Sequence, residues 1–79
     1  MTKEDALKAA FVAGLGIDPN SDFDSLTYRG IDEWDSVAHM QLISEIEDAF
    51  GVMLETEDVL GLSSYQAAKE ILKKYGVDA

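Results

Sequence analysis

The chain has 79 residues, 47% hydrophobic and 28% charged, which predicts one small globular domain over residues 1–79. The absence of cysteine excludes disulfides, thiolate metal sites and cysteine nucleophiles. Sixteen acidic residues against six basic ones give a net charge of −10, which disfavours nucleic acid and anionic membranes and favours basic protein partners. No apolar run approaches the roughly 20 residues that span a bilayer, so we expect a cytoplasmic monomer without membrane insertion.

Helical spacing marks the first predicted element, over about residues 3–14. Thr2 and Asp5 resemble a capping box at its start. Leu7 and Phe11, with small apolar neighbours, recur on one face. Two glycines and Pro19 then end the pattern.

Residues 15–34 show no clear period, and their first half has the composition of turns. A structureless stretch of this length is unusual in a small domain, so we expect apolar anchors to hold it across a helical bundle, with a short helical turn inside it. The expected anchors are Leu15, Ile17, Phe23, Leu26, Tyr28, Ile31 and Trp34.

The alternating acids from Asp18 to Asp24 invite comparison with a calcium loop. That motif requires glycine at its sixth position and glutamate at its twelfth, where this chain has Phe23 and Arg29. We therefore predict no metal site of this class, although a domain that binds divalent cations through Asp18–Asp24 stays open as an alternative.

The strongest helical pattern covers residues 36–50, with Asp35 as N-cap and Gly51 as terminator. Apolar residues gather on one side of the helix, with His39 among them as a packed residue at the edge of the core. Val37 and Met40 depart from this division, because they fall within or beside the polar arc. That arc comprises Gln41, Ser44, Glu45, Glu47 and Asp48.

Two further helices are predicted near the end of the chain. Thr56 is expected to cap a short turn that Gly61 closes, and Ser63 with Gln66 resembles a capping box for a last helix that runs to Gly76. No stretch alternates as a strand does, so the fold class is all-α, with three longer helices, one short third helix and a long first loop. The expected core is Leu7, Phe11, Leu42, Ile46, Phe50, Val59, Ala68, Ile71 and Leu72.

Ser36 is the residue of greatest chemical interest. A triad with Asp35 and His39 is disfavoured, because no glycine-rich turn supplies an oxyanion hole, and we expect no catalysis by this chain. An anion on the Ser36 hydroxyl would instead be stabilised by the free amides and positive dipole of the helix N-terminus. From position alone, an unmodified first-turn serine is equally compatible.

The segment Glu33-Trp34-Asp35-Ser36-Val37 resembles the attachment site of acyl carrier proteins, which read Asp-Ser-Leu at the start of the second helix. The stretch from Leu42 to Val52 resembles the acidic second helix of that family, ending in Glu-x-x-Phe-Gly. Asp58-Val59 and the Ser63–Tyr65 segment resemble the third helix and the start of the fourth. The resemblance covers essentially the whole chain and implies a four-helix bundle of acyl-carrier type.

The resemblance also implies a carrier function. In that family a phosphopantetheinyl transferase moves 4′-phosphopantetheine from coenzyme A to the serine that matches Ser36, within an attachment motif that includes Asp35. The arm then carries acyl groups as thioesters between acyl-loading and acyl-processing enzymes with basic docking patches. Val37 and Met40, rimmed by Gln41, Ser44, Glu45, Glu47 and Asp48, are the expected partner face.

Several positions depart from the fatty-acid-synthesis members of the family. Ala38 and Gln41 stand where acids are usual. Trp34 and His39 resemble the residues found at these positions in stand-alone carriers of specialised pathways. Fatty-acid, lipid, polyketide and aminoacyl or peptidyl cargoes therefore all stay open. An unmodified acidic protein-interaction module is the alternative outside the carrier class.

Overall fold

Four α-helices and one 3₁₀ turn make up the regular structure of residues 2–79, the part of the chain described by the computed structural model. The helices are α1 (Lys3–Leu15), α2 (Ser36–Phe50), α3 (Thr56–Gly61) and α4 (Tyr65–Lys74), and the 3₁₀ turn is Phe23–Ser25. No strand occurs in this range, so the all-helical prediction is confirmed. None of the helices in residues 2–79 has the length and hydropathy that crossing a membrane requires.

Capping explains where the first two long helices begin and end. Thr2 and Asp5 form the predicted capping box of α1, and the Asp35 side chain caps α2. Gly16 and Gly51 follow the two helices in the left-handed conformation, with φ of 67° and 65°, which costs glycine little because it has no Cβ atom. The predicted bounds of α2 are confirmed, and α1 is one residue longer than expected.

The expected caps of the two later helices are wrong. Glu55, rather than Thr56, precedes α3, and no side chain caps that helix. Ser64, rather than Ser63, caps α4 by accepting a hydrogen bond from the Ala67 amide at 2.9 Å. Helix α4 ends at Lys74, two residues before the predicted end, because the next residue already leaves the helical conformation.

Aromatic rings from three segments form the centre of the core. Phe11 of α1 makes edge-to-face contacts with Trp34 at 5.5 Å and with Tyr65 of α4 at 5.3 Å between ring centroids. Phe23, in the 3₁₀ turn, packs 5.4 Å from Tyr65. These contacts confirm that the long first loop is held by its own apolar side chains and contains a short helical turn. Leu15, Phe23, Leu26 and Trp34 are buried as expected, and Ile17, Tyr28 and Ile31 are half-buried.

The expected core is correct for seven of nine residues. Phe50 and Val59 are half-buried residues that pack against the core from its edge, because each lies at or near the end of its helix. Leu62, directly after α3, is fully buried and was not expected in the core.

Helices α1 and α2 approach each other closely at Gly14. A Cβ atom at this position would lie 2.5 Å from Cα and 2.8 Å from N of Leu42. The absence of a side chain therefore lets the two backbones come into contact and sets the position of α2 on the bundle.

Candidate functional site

Ser36 is the first residue of α2 and is exposed to solvent. The side-chain carboxylate of Asp35 accepts a hydrogen bond from the Ala38 amide at 2.8 Å. The backbone carbonyl of Asp35 accepts one from the His39 amide, also at 2.8 Å. In residues 2–79 no group accepts a hydrogen bond from the Ser36 or Val37 amide. The hydroxyl is thus open to water beside two free donors at the positive end of a helix of 15 residues.

Arg29 lies beside this helix end. Its amide donates to the Trp34 carbonyl at 2.9 Å, and it holds a φ of 62°, a left-handed conformation that is uncommon for residues other than glycine. Arg29 and Asp35 are among the residues that line a surface cavity of about 210 Å³. The guanidinium lies 5.4 Å from the centre of the Tyr28 ring. A basic side chain therefore adjoins the start of α2 in a strongly acidic chain.

The exposed surface of α2 contains the two apolar residues singled out from the sequence. Val37 is 73% and Met40 58% exposed. Gln41, Ser44 and Asp48 are exposed beside them.

Glu45 and Glu47 differ from the rest of the expected partner face, because both are half-buried. Glu45 lines a groove against α1. The Glu47 carboxylate accepts a hydrogen bond from the Leu54 amide at 2.9 Å and so helps to hold the connection between α2 and α3. The exposed members of the expected partner face are Val37, Met40, Gln41, Ser44 and Asp48.

His39 is half-buried at the edge of the core, as expected. Its Nδ1 atom lies 2.9 Å from Nε1 of Trp34, and its Nε2 atom lies 2.8 Å from the carbonyl oxygen of Val59. Both ring nitrogens are therefore engaged by groups other than Ser36. In this structure the imidazole is not placed to remove a proton from the serine hydroxyl.

A buried carboxylate on α3 was missed by the sequence reasoning. Asp58 is 5% exposed, and its two oxygens accept hydrogen bonds from the Lys74 ammonium and the Tyr75 hydroxyl, each at 2.5 Å. These donors hold the pKa of Asp58 below its usual value, and the carboxylate raises the pKa of both Lys74 and Tyr75. The cluster connects α3 to the C-terminal end of α4. The only sign of it in the sequence is an acidic and a basic residue 16 positions apart, a spacing that predicts no contact.

The acidic loop does not assemble a set of metal ligands. In residues 2–79 no group of three or more histidine, aspartate or glutamate side chains is arranged to hold a metal ion. Asp18 instead accepts a hydrogen bond from the Asn20 amide at 2.7 Å, and the Phe23 side chain is buried in the core.

Comparison of the chain with known protein families, with curated proteins and with solved structures finds no match. The exposed Ser36 hydroxyl, the two free amides and the neighbouring Arg29 fit a phosphodiester.

Proposed function

We propose that this chain is an acyl-carrier-type protein, in which Ser36 bears a 4′-phosphopantetheine arm. The observation that carries the proposal is the exposed hydroxyl of Ser36 on the first residue of α2, directly after the Asp35 cap. The order of the helices, three longer and a short third, and the long first loop agree with the acyl-carrier type of four-helix bundle.

The electrostatics of the site support a phosphodiester at this hydroxyl. A phosphodiester carries one negative charge, and helix N-termini stabilise such charges through free amides and the helix dipole. The amides of Ser36 and Val37 have no acceptor in residues 2–79, and the Arg29 side chain adjoins the same helix end. Asp35 caps the helix without covering the hydroxyl, so a transferase can reach the oxygen.

The surface around Ser36 supports weak and reversible docking by other proteins. Val37 and Met40 supply a small apolar contact, while Asp48 and the net charge of −10 supply the attraction for a basic enzyme surface. Electrostatic attraction of this kind raises association rates, and a small interface allows rapid release. The proposed partners are therefore a phosphopantetheinyl transferase and acyl-loading or acyl-processing enzymes with basic docking patches.

When bound, the arm supplies a terminal thiol that holds cargo as a thioester, a sulfur that this chain lacks because it has no cysteine. The protein's own residues anchor the arm, present it at an exposed helix end and attract the partner. The same arrangement serves a fatty acyl or polyketide cargo and an aminoacyl or peptidyl one.

Intact-mass measurement tests the attachment directly. The purified chain is incubated with coenzyme A, Mg²⁺ and a phosphopantetheinyl transferase of broad specificity. We expect the gain of one phosphopantetheinyl group, its loss in Ser36→Ala and its retention in Ser63→Ala, a matched change at an exposed serine outside α2 and its proposed docking surface. If several broad-specificity transferases leave the wild-type mass unchanged, the carrier proposal fails and an unmodified acidic interaction module is favoured.

A second variant tests the docking surface. Val37→Asp places a charge in the exposed apolar contact, so we expect slower transfer of the arm with an unchanged circular dichroism spectrum. Met53→Asp makes the same change at another exposed apolar residue, which follows the far end of α2, a helix of 15 residues that spans about 20 Å. Equal transfer rates for the two variants would remove Val37 from the docking surface.

A further inference from the structure

A chain of two hydrogen bonds joins the first loop, the start of α2 and the third helix. Trp34, at the end of the loop, contacts His39 in the first turns of α2, and His39 contacts Val59 in α3. His39 lies three residues after Ser36, so α3 is connected to the same end of α2 that presents the serine hydroxyl.

The chemistry of the three groups assigns the protonation state of the ring. An indole N–H can only donate and a carbonyl oxygen can only accept. Nδ1 of His39 must therefore accept from Trp34, and Nε2 must carry the hydrogen that it donates to Val59. Both bonds exist together only in the neutral imidazole with its proton on Nε2.

A second proton on the ring is incompatible with this arrangement. The second proton would be added at Nδ1, so that two N–H donors, one on His39 and one on Trp34, would point at each other. The Trp34 side chain is completely buried, so its indole would lose its acceptor away from water, and an unsatisfied buried donor is costly. Protonation therefore forces His39 or Trp34 to move.

Helix α3 depends on such polar contacts more than the other helices do. Asp58 is its one buried side chain, Val59 is half-buried and Leu60 is 78% exposed. On the side facing α4 the helix is held by Asp58 with Lys74 and Tyr75. On the side facing α2 it is held by the bond from His39 to the Val59 carbonyl.

The charged groups near the ring do not replace these bonds. Asp35, directly before α2 and one turn before His39, caps the helix with its carboxylate. On the loop, the Arg29 guanidinium lies 5.4 Å from the centre of the Tyr28 ring, and that ring centre lies 5.2 Å from the imidazole. On α3, Glu57 is exposed and Asp58 is engaged by α4. In residues 2–79 no carboxylate accepts a hydrogen bond from His39.

We propose that Trp34, His39 and Val59 form a proton-sensitive latch that holds α3 against the Ser36 end of α2. Protonation of His39 opens the latch and frees the α2-facing side of α3 while the Asp58 cluster keeps the helix on the bundle. The proposal concerns the unmodified chain and holds whether or not Ser36 carries an arm.

Nuclear magnetic resonance of the ¹⁵N-labelled chain tests the latch from about pH 8 down to the pH at which the ring ¹⁵N shifts of His39 report a second proton. At the upper end we expect the Nε2–H tautomer of His39 and a through-hydrogen-bond coupling between its Nδ1 and Nε1 of Trp34. On acidification we expect this coupling to vanish while the hydrogen-exchange protection factors of α3 fall about fivefold, the effect of one lost hydrogen bond. Protection factors are used because they remove the intrinsic effect of pH on exchange.

His39→Gln is the matched control, because its amide can accept from Trp34 and donate to Val59 without titrating. We expect its α3 protection factors to stay constant over the same range, with those of α1 and α4 constant in both proteins. Three results would overturn the proposal: a proton on Nδ1 at the upper pH, an equal loss of α3 protection in the variant, or a simultaneous loss across all helices. If the variant does not fold, the wild-type data decide, because the coupling and the α3 protection must be lost at the same pH.

Discussion

The contact between α1 and α2 at Gly14 allows a prediction whose sign opposes ordinary helix propensity. Alanine is normally about 1 kcal/mol better than glycine inside a helix. At Gly14, however, the added methyl group would lie 2.5 Å from Cα and 2.8 Å from N of Leu42. Both atoms belong to the backbone, so no rotamer change can relieve the contact, and the helices must separate.

The size of the effect follows from these two opposing contributions. Forcing extra volume into a packed interface costs about 1–3 kcal/mol, and the upper part of this range applies because backbone atoms are involved. After the gain of about 1 kcal/mol from propensity, the free energy of unfolding should fall by about 1–2 kcal/mol. For a domain of this size each 1 kcal/mol shifts the Tm by about 4–8 °C, so we expect Gly14→Ala to melt several degrees below wild type.

Thermal unfolding followed by circular dichroism at 222 nm measures this shift, and a urea titration gives the free energy independently. Gly61→Ala is the matched control, because Gly61 is also helical and a Cβ atom there meets nothing within 4 Å. We expect this control to melt at or above the wild-type temperature. A Gly14→Ala protein as stable as wild type would show that α1 and α2 leave room for a Cβ atom beside Leu42, contrary to the 2.5 Å approach.

Three further predictions concern stability. Because Lys74 and Tyr75 lower the pKa of Asp58, Asp58→Asn should reduce the Tm most at neutral pH. The difference in Tm from wild type should shrink as the pH falls below about 4, where an unfolded aspartate gains its proton. A difference in Tm that does not depend on pH would contradict the pairing. Ser64→Ala should lower the free energy of unfolding in urea by about 0.5–2 kcal/mol, whereas Ser63→Ala should change it by no more than about 0.5 kcal/mol. The reverse order would place the cap at Ser63. Finally, the net charge of −10 should make the Tm rise with added NaCl because salt screens self-repulsion, and a Tm that does not rise would count against this account.

Local signals in the sequence were sufficient to place the helices. A side-chain cap before an apolar period and a glycine after it predicted α2 to the residue, because both ends are set by neighbours within four positions. The error at α4 has the same local origin. Ser63 and Ser64 are both good capping residues, and Ser64 is selected by pairing of the loop at Thr27 and Tyr28 with this segment, a tertiary contact that no short window contains.

The polar connections of α3 lay beyond sequence reasoning for a related reason. The bond from His39 to Val59 spans 20 residues and the ion pair from Asp58 to Lys74 spans 16. Spacings of this length carry no periodic signal, and both acids and bases are more often solvated than buried. Exposure on α2 was easier to predict, because Val37 and Met40 lie on the polar side of a regular helix whose opposite side is apolar.

The residues before Ser36 show how a fixed core and an accessible hydroxyl are combined within three positions. Trp34 is completely buried against Phe11, Asp35 is exposed and caps α2, and Ser36 is exposed beyond it. Because the tryptophan anchors the end of the loop and the cap fixes the first turn, the backbone that carries the serine has little freedom of its own. A tether point needs this combination, since the attached group must move while its base stays in a constant relation to the proposed docking surface of Val37 and Met40. In the proposed carrier, the mobility would therefore belong to the arm, and the protein would supply a fixed base.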